Sequence, residues 1–448
     1  MKFKHRLLNG HCFTAAIGVA FCAANAQAQS SDALINKLVE KGILTSDEAK
    51  ELRQESAQGF DEEFKDKVGL PDYVTSLRFN GDFRGRADWL NSDNSAFTDR
   101  LRLRYRLRAG LELTLKDEFT IGFGLGSGDA GGNPLSNNTT LDNNGTKKPI
   151  WVDTAFAKWT PIHDDQWTAS TTIGKMRNPL QVTPMEFDPD YTPEGGVVQV
   201  AHNLNADHKV RFNGGAFILD ELSGSTQDPF FYTAQLFWDA KWQSRLDTSL
   251  GVSVYSIVNG GSLNNGNVPN NNAGNTRNAA GNLVYSYNPV VLTGSLIYKL
   301  DDFPLYKGTF PIQVVGQYMN NPATSSRNEG YFGGIKFGKS GKRGTWDIAY
   351  RYQYLEGDAW YEELVDDDNV GYYQSTPVND GFVSAGNPNG AGLFGGTNVK
   401  GHLVRVDYSL TDALTLTFFG YFNNLIDPSP NGSKSGGTHL MADLMWKF

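Results

Sequence analysis

Residues Thr98 to Leu115 alternate apolar and polar positions without a break. Leu101, Leu103, Tyr105, Leu107, Ala109, Leu111, Leu113 and Leu115 share one face; Arg100, Arg102, Arg104, Arg106, Arg108, Gly110, Glu112 and Thr114 share the other. A period of two predicts a strand, because successive side chains leave opposite sides of a pleated backbone. At about 3.3 Å per residue it is longer than most strands of soluble domains. It is also long enough to cross a bilayer at a tilt, which takes roughly 9–11 residues. The alternation by itself leaves the apolar medium open. The leucines would face either the core of a soluble sandwich or lipid, with the arginines in bulk water or a wet lumen.

The same period continues to the end of the chain. It predicts sixteen strands, at about 77–89, 98–115, 118–126, 150–160, 166–175, 196–204, 208–218, 230–240, 244–257, 284–300, 310–320, 330–338, 345–355, 400–410, 413–423 and 438–448. In the first, Arg78, Arg84 and Arg86 lie with Asp82 and Asp88 opposite Leu77, Phe79 and Phe83. The connections alternate in kind. Short turns at 116–117, 161–165, 205–207, 241–243, 339–344 and 411–412, with 301–309 a little longer, separate mostly long Gly/Asn/Asp/Ser-rich loops at 127–149, 176–195, 259–283, 356–399 and 424–437. Such sorting belongs to a transmembrane barrel, and a sandwich has no reason for it. Eight tryptophans, all but Trp360, sit at or near strand ends, and Trp159, Trp167, Trp238, Trp242, Trp346 and Trp446 gather at the short-turn end as an interfacial girdle would. The expected fold is therefore all-β, a transmembrane antiparallel barrel over 73–448.

Helical signals are confined to 31–57. Leu34, Ile35, Leu38 and Val39 fall on one helical face before Gly42, and Thr45 with Glu48 forms a capping-box pattern opening a second short helix. A helical segment with a charged linker is expected over 29–72, read as a periplasmic hairpin, with an oligomerising or cell-wall-tethering element as the alternative.

Composition adds an address. Lys2, Lys4 and Arg6 precede an apolar run from Phe13 to Ala24, and Ala26 and Ala28 suit cleavage after 28, so 1–28 reads as a secretory signal. Phe21 before Cys22 is too bulky for a lipoprotein site. Both cysteines, Cys12 and Cys22, fall in that leader, so the exported chain has no disulfide or thiolate metal site. Without the leader the net charge is about −12, which argues against nucleic acid as a partner.

On these residues the chain resembles bacterial outer-membrane porins with a short helical periplasmic N-terminus. The resemblance rests on Leu-Val-Glu-Lys-Gly-Ile-Leu-Thr-Ser-Asp-Glu-Ala at 38–49, the strand pattern from 77, Gly-Lys-Met-Arg-Asn-Pro at 174–179 and the terminal Phe448. It implies export to the outer membrane, lipid and lipopolysaccharide around the barrel, a homotrimer, and a terminal aromatic read by the barrel assembly machinery. It also implies that the loop 176–195 folds inward and sets Glu186, Asp188, Asp190 and Glu194 opposite a basic wall of Arg78, Arg84, Arg86, Arg100, Arg102, Arg104, Arg106 and Arg108. This carry-over is by position and charge, since the family's constriction-loop motif is not evident.

Blander readings stand beside the sharp ones. The arginines could be a salt-bridge lattice that only stiffens the wall. If the first hairpin folds about 94–95, Arg84 comes near Arg104 and Asp82 near Arg106, while the stripe Gly122, Gly124, Gly126 leaves room for long side chains. Asp366, Asp367 and Asp368 read as a solvated acidic run rather than a calcium site, since they match no twelve-residue calcium loop. No nucleophile elbow, zinc motif or phosphate loop appears, so no enzyme, metal or cofactor is expected. The expected function is a passive channel for small hydrophilic solutes. The alternatives are a channel specific for phosphate, carboxylates or sugars, and an envelope-structural barrel that anchors the helical segment.

Overall fold

A computed structural model describes residues 37–41, 45, 48–49, 52, 69–263, 273–278, 281–374, 391–428 and 432–448. The chain separates into two compact units, 1–75 and 76–448. In the first, residues 37–40 are helical, and the expected capping box is present. The Thr45 backbone N–H donates to Glu48 Oε2 at 2.8 Å, and the Glu48 N–H donates back to Thr45 Oγ1 at 3.2 Å. The leader expected at 1–28 lies outside the described residues.

The second unit is built from strands. Nineteen are present among the described residues: β1 (Val74–Ser92), β2 (Arg100–Leu115), β3 (Phe119–Ser127), β4 (Thr139–Thr140), β5 (Ile150–His163), β6 (Trp167–Lys175), β7 (Glu194–Asn203), β8 (His208–Ile218), β9 (Phe230–Gln243), β10 (Leu246–Val258), β11 (Val290–Leu300), β12 (Phe310–Asn320), β13 (Glu329–Gly338), β14 (Trp346–Leu355), β15 (Val370–Tyr373), β16 (Gly392–Gly395), β17 (Val399–Ser409), β18 (Leu414–Leu425) and β19 (Gly437–Lys447). All but β4, β15 and β16 form one closed antiparallel barrel of sixteen strands. The last strand pairs with the first, from Asp82 opposite Lys447 to Ser92 opposite Gly437.

The terminal residue completes this seam. The Gly81 N–H donates to Phe448 O at 2.8 Å and the Phe448 N–H returns to Gly81 O at 3.1 Å. The Phe448 ring stacks on Phe79 with centroids 5.7 Å apart. A Cβ at Gly81 would lie 2.6 Å from that ring and 2.4 Å from the Arg108 carbonyl, so the closing strand demands glycine there.

The alternation resolves into two media. Outward Leu101 is 68 % exposed and Leu103 54 %, whereas inward Arg104 and Arg106 are buried. Exposed large apolar residues recur on strand after strand, among them Ile173, Leu292 and Phe418, which gives a lipid-compatible belt rather than a soluble surface. Several tryptophans lie at the short-turn end, where Trp159 stacks on Phe119, Trp167 on His202 and Trp446 lies against Phe83. No helix among the described residues is long and apolar enough to cross a membrane.

The sixteen expected strands are all present, with small differences. The strand expected at 284–300 begins at Val290, because Pro289 has no N–H to give the ladder. The loop after β3 returns to the sheet as β4, pairing Thr140 with Arg104 along the part of β2 that the shorter β3 leaves bare. The loop after β14 carries a separate hairpin, β15 with β16.

Candidate functional site

The inward faces of β1, β2 and β19 carry a dense charge lattice. Asp82 accepts from Arg106 Nε at 3.0 Å and from Arg108 Nε at 2.9 Å. Asp88, fully buried, accepts from Arg102 at 2.5 Å and His439 Nε2 lies 2.6 Å away. Arg86 makes a two-pronged contact with Asp443 at 2.8 and 2.9 Å. A fork geometry of this kind fixes both side chains and compensates the charge of each. The expected Asp82–Arg106 neighbourhood is therefore present. Arg84 instead donates to Asn138 at 2.7 Å and lies 3.7 Å from Asp443. The room beside the glycine stripe is also not used by arginine. Phe156 covers Gly122, Thr154 covers Gly124 and Asn137 covers Gly126.

Two loops fold into the lumen against this lattice. The first, 176–193, springs from a pinch in the β6–β7 ladder where Gly174 faces Gly195. Gly174 has φ +112°, and a Cβ there would sit 2.3 Å from the Ala155 carbonyl, so only glycine allows the backbone to turn inward so close to its neighbour. The loop then spans the barrel. At one side Asp190 accepts from Arg106 at 2.9 Å and from Arg108 at 3.1 Å. At the other, Glu186 accepts from Tyr255 Oη at 2.5 Å on β10 and from Gln317 Nε2 at 2.6 Å on β12, while the Thr183 N–H caps it at 2.7 Å.

The second loop follows β14, and its segment 356–369 packs on the first. Trp360 is fully buried between Phe187, Phe231 and Tyr255, with centroids 5.8, 5.8 and 5.2 Å away, and its Nε1 donates to Glu186 O at 2.7 Å. Met185, Met319, Leu355 and Leu364 complete an apolar core inside the barrel wall. Beyond it, the acidic run at 366–368 turns toward the arginines. Asp366 lies 3.4 Å from Arg351 on β14 and Asp368 3.4 Å from Arg86. The expectation that this run is merely solvated is thus corrected: a tryptophan anchor and two ion pairs draw it under cover.

The two loops place carboxylates with unlike surroundings. Burial disfavours the Asp190 charge, yet Arg106, Arg108, Arg84 and Arg86 outweigh it and hold that carboxyl below its ordinary range. Asp188 has no such partner. Burial, then Asp367, Asp366 and Asp190, push its carboxyl well above the ordinary range. Asp367 is raised by burial and by Asp368 and Asp366, with Arg104 opposing. Glu186 is raised by burial, against the hydrogen bonds from Tyr255, Thr183 and Gln317. One oxygen each of Asp188, Asp366 and Asp367 falls within 4.8 Å of the others. Both Asp188 oxygens already accept backbone N–H groups, from Asp190 at 2.6 Å and Asp367 at 3.1 Å, so we assign no metal there.

The expected site residues thus divide. Arg84, Arg86, Arg102, Arg104, Arg106 and Arg108 enter the lattice, whereas Arg78 and Arg100 are exposed towards the two ends of the row. Of the four acids expected to face them, Asp190 alone touches arginine among the described residues. Glu186 anchors the far side, Asp188 joins the acidic cluster, and Glu194 pairs with Lys175 at 2.9 Å. Sequence reasoning missed Trp360, Arg351, His439 and Asp443. The one tryptophan away from strand ends was the signal for the second loop.

Cavities open towards both ends of the barrel. One of about 630 Å³ at the loop end is lined by Trp151, Asp153, Tyr191, Asp220, Glu221 and Glu363. Another, of about 700 Å³ at the turn end, is lined by Asp165, His208, Asp239, Lys241 and Asp247.

The comparisons with known proteins agree with this architecture. A family described as "Putative porin" matches residues 90–282. Pseudomonas putida OprB, in its high-pH structure, is 11 % identical, aligns over 86 % of this chain and 97 % of its own, and has a TM-score of 0.51. At that identity the likeness speaks for the fold. A Rhodopseudomonas blastica porin variant aligns over 83 % of this chain and 100 % of its own at 9 % identity and a TM-score of 0.43. No curated protein matches the sequence. The chain thus has a closed sixteen-stranded barrel, and residues 90–282 of it are similar to the putative-porin family.

Proposed function

We propose that this protein is a porin and passes small hydrophilic solutes by passive diffusion through a lane bounded by the arginine wall and the two inward loops. Asp190 is the observation that carries the reading, because it brings an acidic loop into direct contact with Arg106 and Arg108. Fixed charges of both signs at a constriction order water and select solutes by width and field. Here the charges are paired rather than held apart across water, so the reading is of weak ion selectivity. The inward contribution of Arg78 and Arg100, and of Glu186, Asp188 and Glu194, is to the approaches and to loop position.

The barrel points to the outer membrane, and we propose that the leader at 1–28 brings it there, with 29–72 left in the periplasm. In this reading lipid and lipopolysaccharide surround a homotrimer, and the assembly machinery reads Phe448. Channel action, rather than catalysis or scaffolding, is tested by conductance of the mature protein in a planar bilayer. Zero-current potentials under a salt gradient then test the lane. Asp190→Asn leaves Arg106 and Arg108 with Asp82 as their shared carboxylate and is expected to shift the potential toward anions, and Arg106→Ala toward cations. Both shifts fade as salt shortens the Debye length from about 10 Å at 0.1 M to about 3 Å at 1 M. Unchanged potentials in both variants would reduce the lattice to wall reinforcement.

A further inference from the structure

Beside the apolar core around Trp360, the two inward loops meet through a small set of bonds, and three carboxylates sit at that polar joint. The Asp188 N–H donates to Leu364 O at 2.7 Å, the Asp366 N–H to Pro184 O at 3.2 Å, and the Asp367 N–H to Asp188 Oδ2 at 3.1 Å. Asp188 comes from the first loop; Asp366 and Asp367 come from the second. Their carboxylate oxygens lie within 4.8 Å of one another. Like charges at such a separation repel strongly in a site with little water.

The compensating charges around them are already committed. From the wall, Arg106 and Arg108 are taken by Asp190 and Asp82, and Arg86 by Asp443 and Asp368. Arg104 lies against Asp88 and Asp129, while Arg84 reaches Asp443. From β14, Arg351 reaches Asp366 alone of the three. From β18, Tyr421 Oη lies 3.4 Å from Asp366, and from β19, His439 Nδ1 lies 3.1 Å from Asp368 O. Asp188 has only Asp190, Asp366 and Asp367 as its charged neighbours of first weight.

We propose that this joint is an acid-held latch: protonated, it keeps the two loops together in the lumen, and ionised, it releases them and widens the lane. The inference rests on the channel reading above. The sign follows from linkage. Asp188 and Asp367 hold protons more tightly when latched than they would in water, where a carboxyl has a pKa near 3.9: Asp188 by burial and by Asp367, Asp366 and Asp190, and Asp367 by burial and by Asp368, Asp366 and, from the first loop, Asp190. The latched state is therefore favoured at pH values where these carboxyls are protonated. It loses that advantage as pH rises through their elevated pKa values. Release does not unfold the wall, because the strand ladder and the Asp82, Asp88 and Asp443 pairs lie outside the joint.

The test is single-channel conductance of the mature protein in a neutral-lipid bilayer at fixed salt, from about pH 4 to pH 8. Conductance is expected to rise about twofold with pH. In Asp367→Asn, which removes one charge and keeps the shape, the rise is expected to move to higher pH or vanish. Hydrogen exchange, corrected for intrinsic rate, gives a second reading that does not depend on the variant. Peptides covering 183–191 and 359–368 of the wild type should lose protection over the same pH range, while β2 keeps its own. Conductance that is flat or falls with pH, or a pH profile unchanged in Asp367→Asn, overturns the latch while leaving the channel standing. No conductance at any pH would remove the channel reading itself.

Discussion

The wall and the filling of this barrel obey different rules. The wall repeats a two-residue period sixteen times, and each outward residue meets the same medium. Its inward charges are matched within one strand or the next, as Asp82 is with Arg106 and Arg108. The filling has no period. Its anchors come from opposite sides of the molecule: Asp190 on β2, Glu186 on β10 and β12, Trp360 on the aromatic core and Asp368 on β1. Regular geometry makes the wall robust to any one outward substitution. Dependence on a few distant contacts makes the filling adjustable, which suits the part that sets the width of a channel.

The largest effect should come from cutting the wall at its most buried charge. Asp88 has no exposed surface and serves Arg102, Arg104 and His439. Asp88→Ala removes the buried carboxylate that these three side chains share, and breaking a buried pair costs about 3–5 kcal/mol. Urea midpoints of the refolded barrel measure it. A midpoint within error of wild type would mean that the lattice contributes little.

Trp360→Ala should act on the filling alone. Removing a fully buried tryptophan leaves a cavity worth about 3 kcal/mol or more of packing. The second loop is then expected to become susceptible to protease, with the heat-modifiable barrel intact. Loss of the folded barrel instead would mean that the two regions are not separable.

Glu186→Gln is gentler. It keeps the size but turns one acceptor into a donor against Tyr255 and Gln317. A mismatched buried group costs about 1–3 kcal/mol, read as faster hydrogen exchange at 183–188. No change in exchange there would remove Glu186 as an anchor. Smallest is Glu48→Ala, which deletes half of the capping box outside the barrel and should cost about 0.5–1 kcal/mol of local helicity without altering conductance. A conductance change in that variant would tie the N-terminal segment to the pore.

The contrast explains what was legible in the sequence. Leu101 to Leu115 with Arg100 to Arg108 carry their strand and its two media in local order, because each side chain needs only its parity. Sixteen strands, the sorted turns and the tryptophan girdle follow from that kind of signal. Asp190 was placed against arginine by loop position and charge. Asp188 and Glu194 were grouped with it, since charge alone does not say which carboxylate reaches which cation. The acidic run at 366–368 reads as solvated in sequence, because the burial of Asp366 depends on Trp360 finding Phe187 and Phe231, contacts more than a hundred residues away in the chain.

The central claim is that the loops, not the wall, set the conductance. Single-channel conductance of a variant whose residues 357–398 are replaced by a short turn tests it most directly. With the barrel still heat-modifiable, the account predicts a conductance at least about twofold that of wild type, because the aromatic core and the acidic run no longer fill the lumen. A folded barrel with unchanged conductance would contradict it.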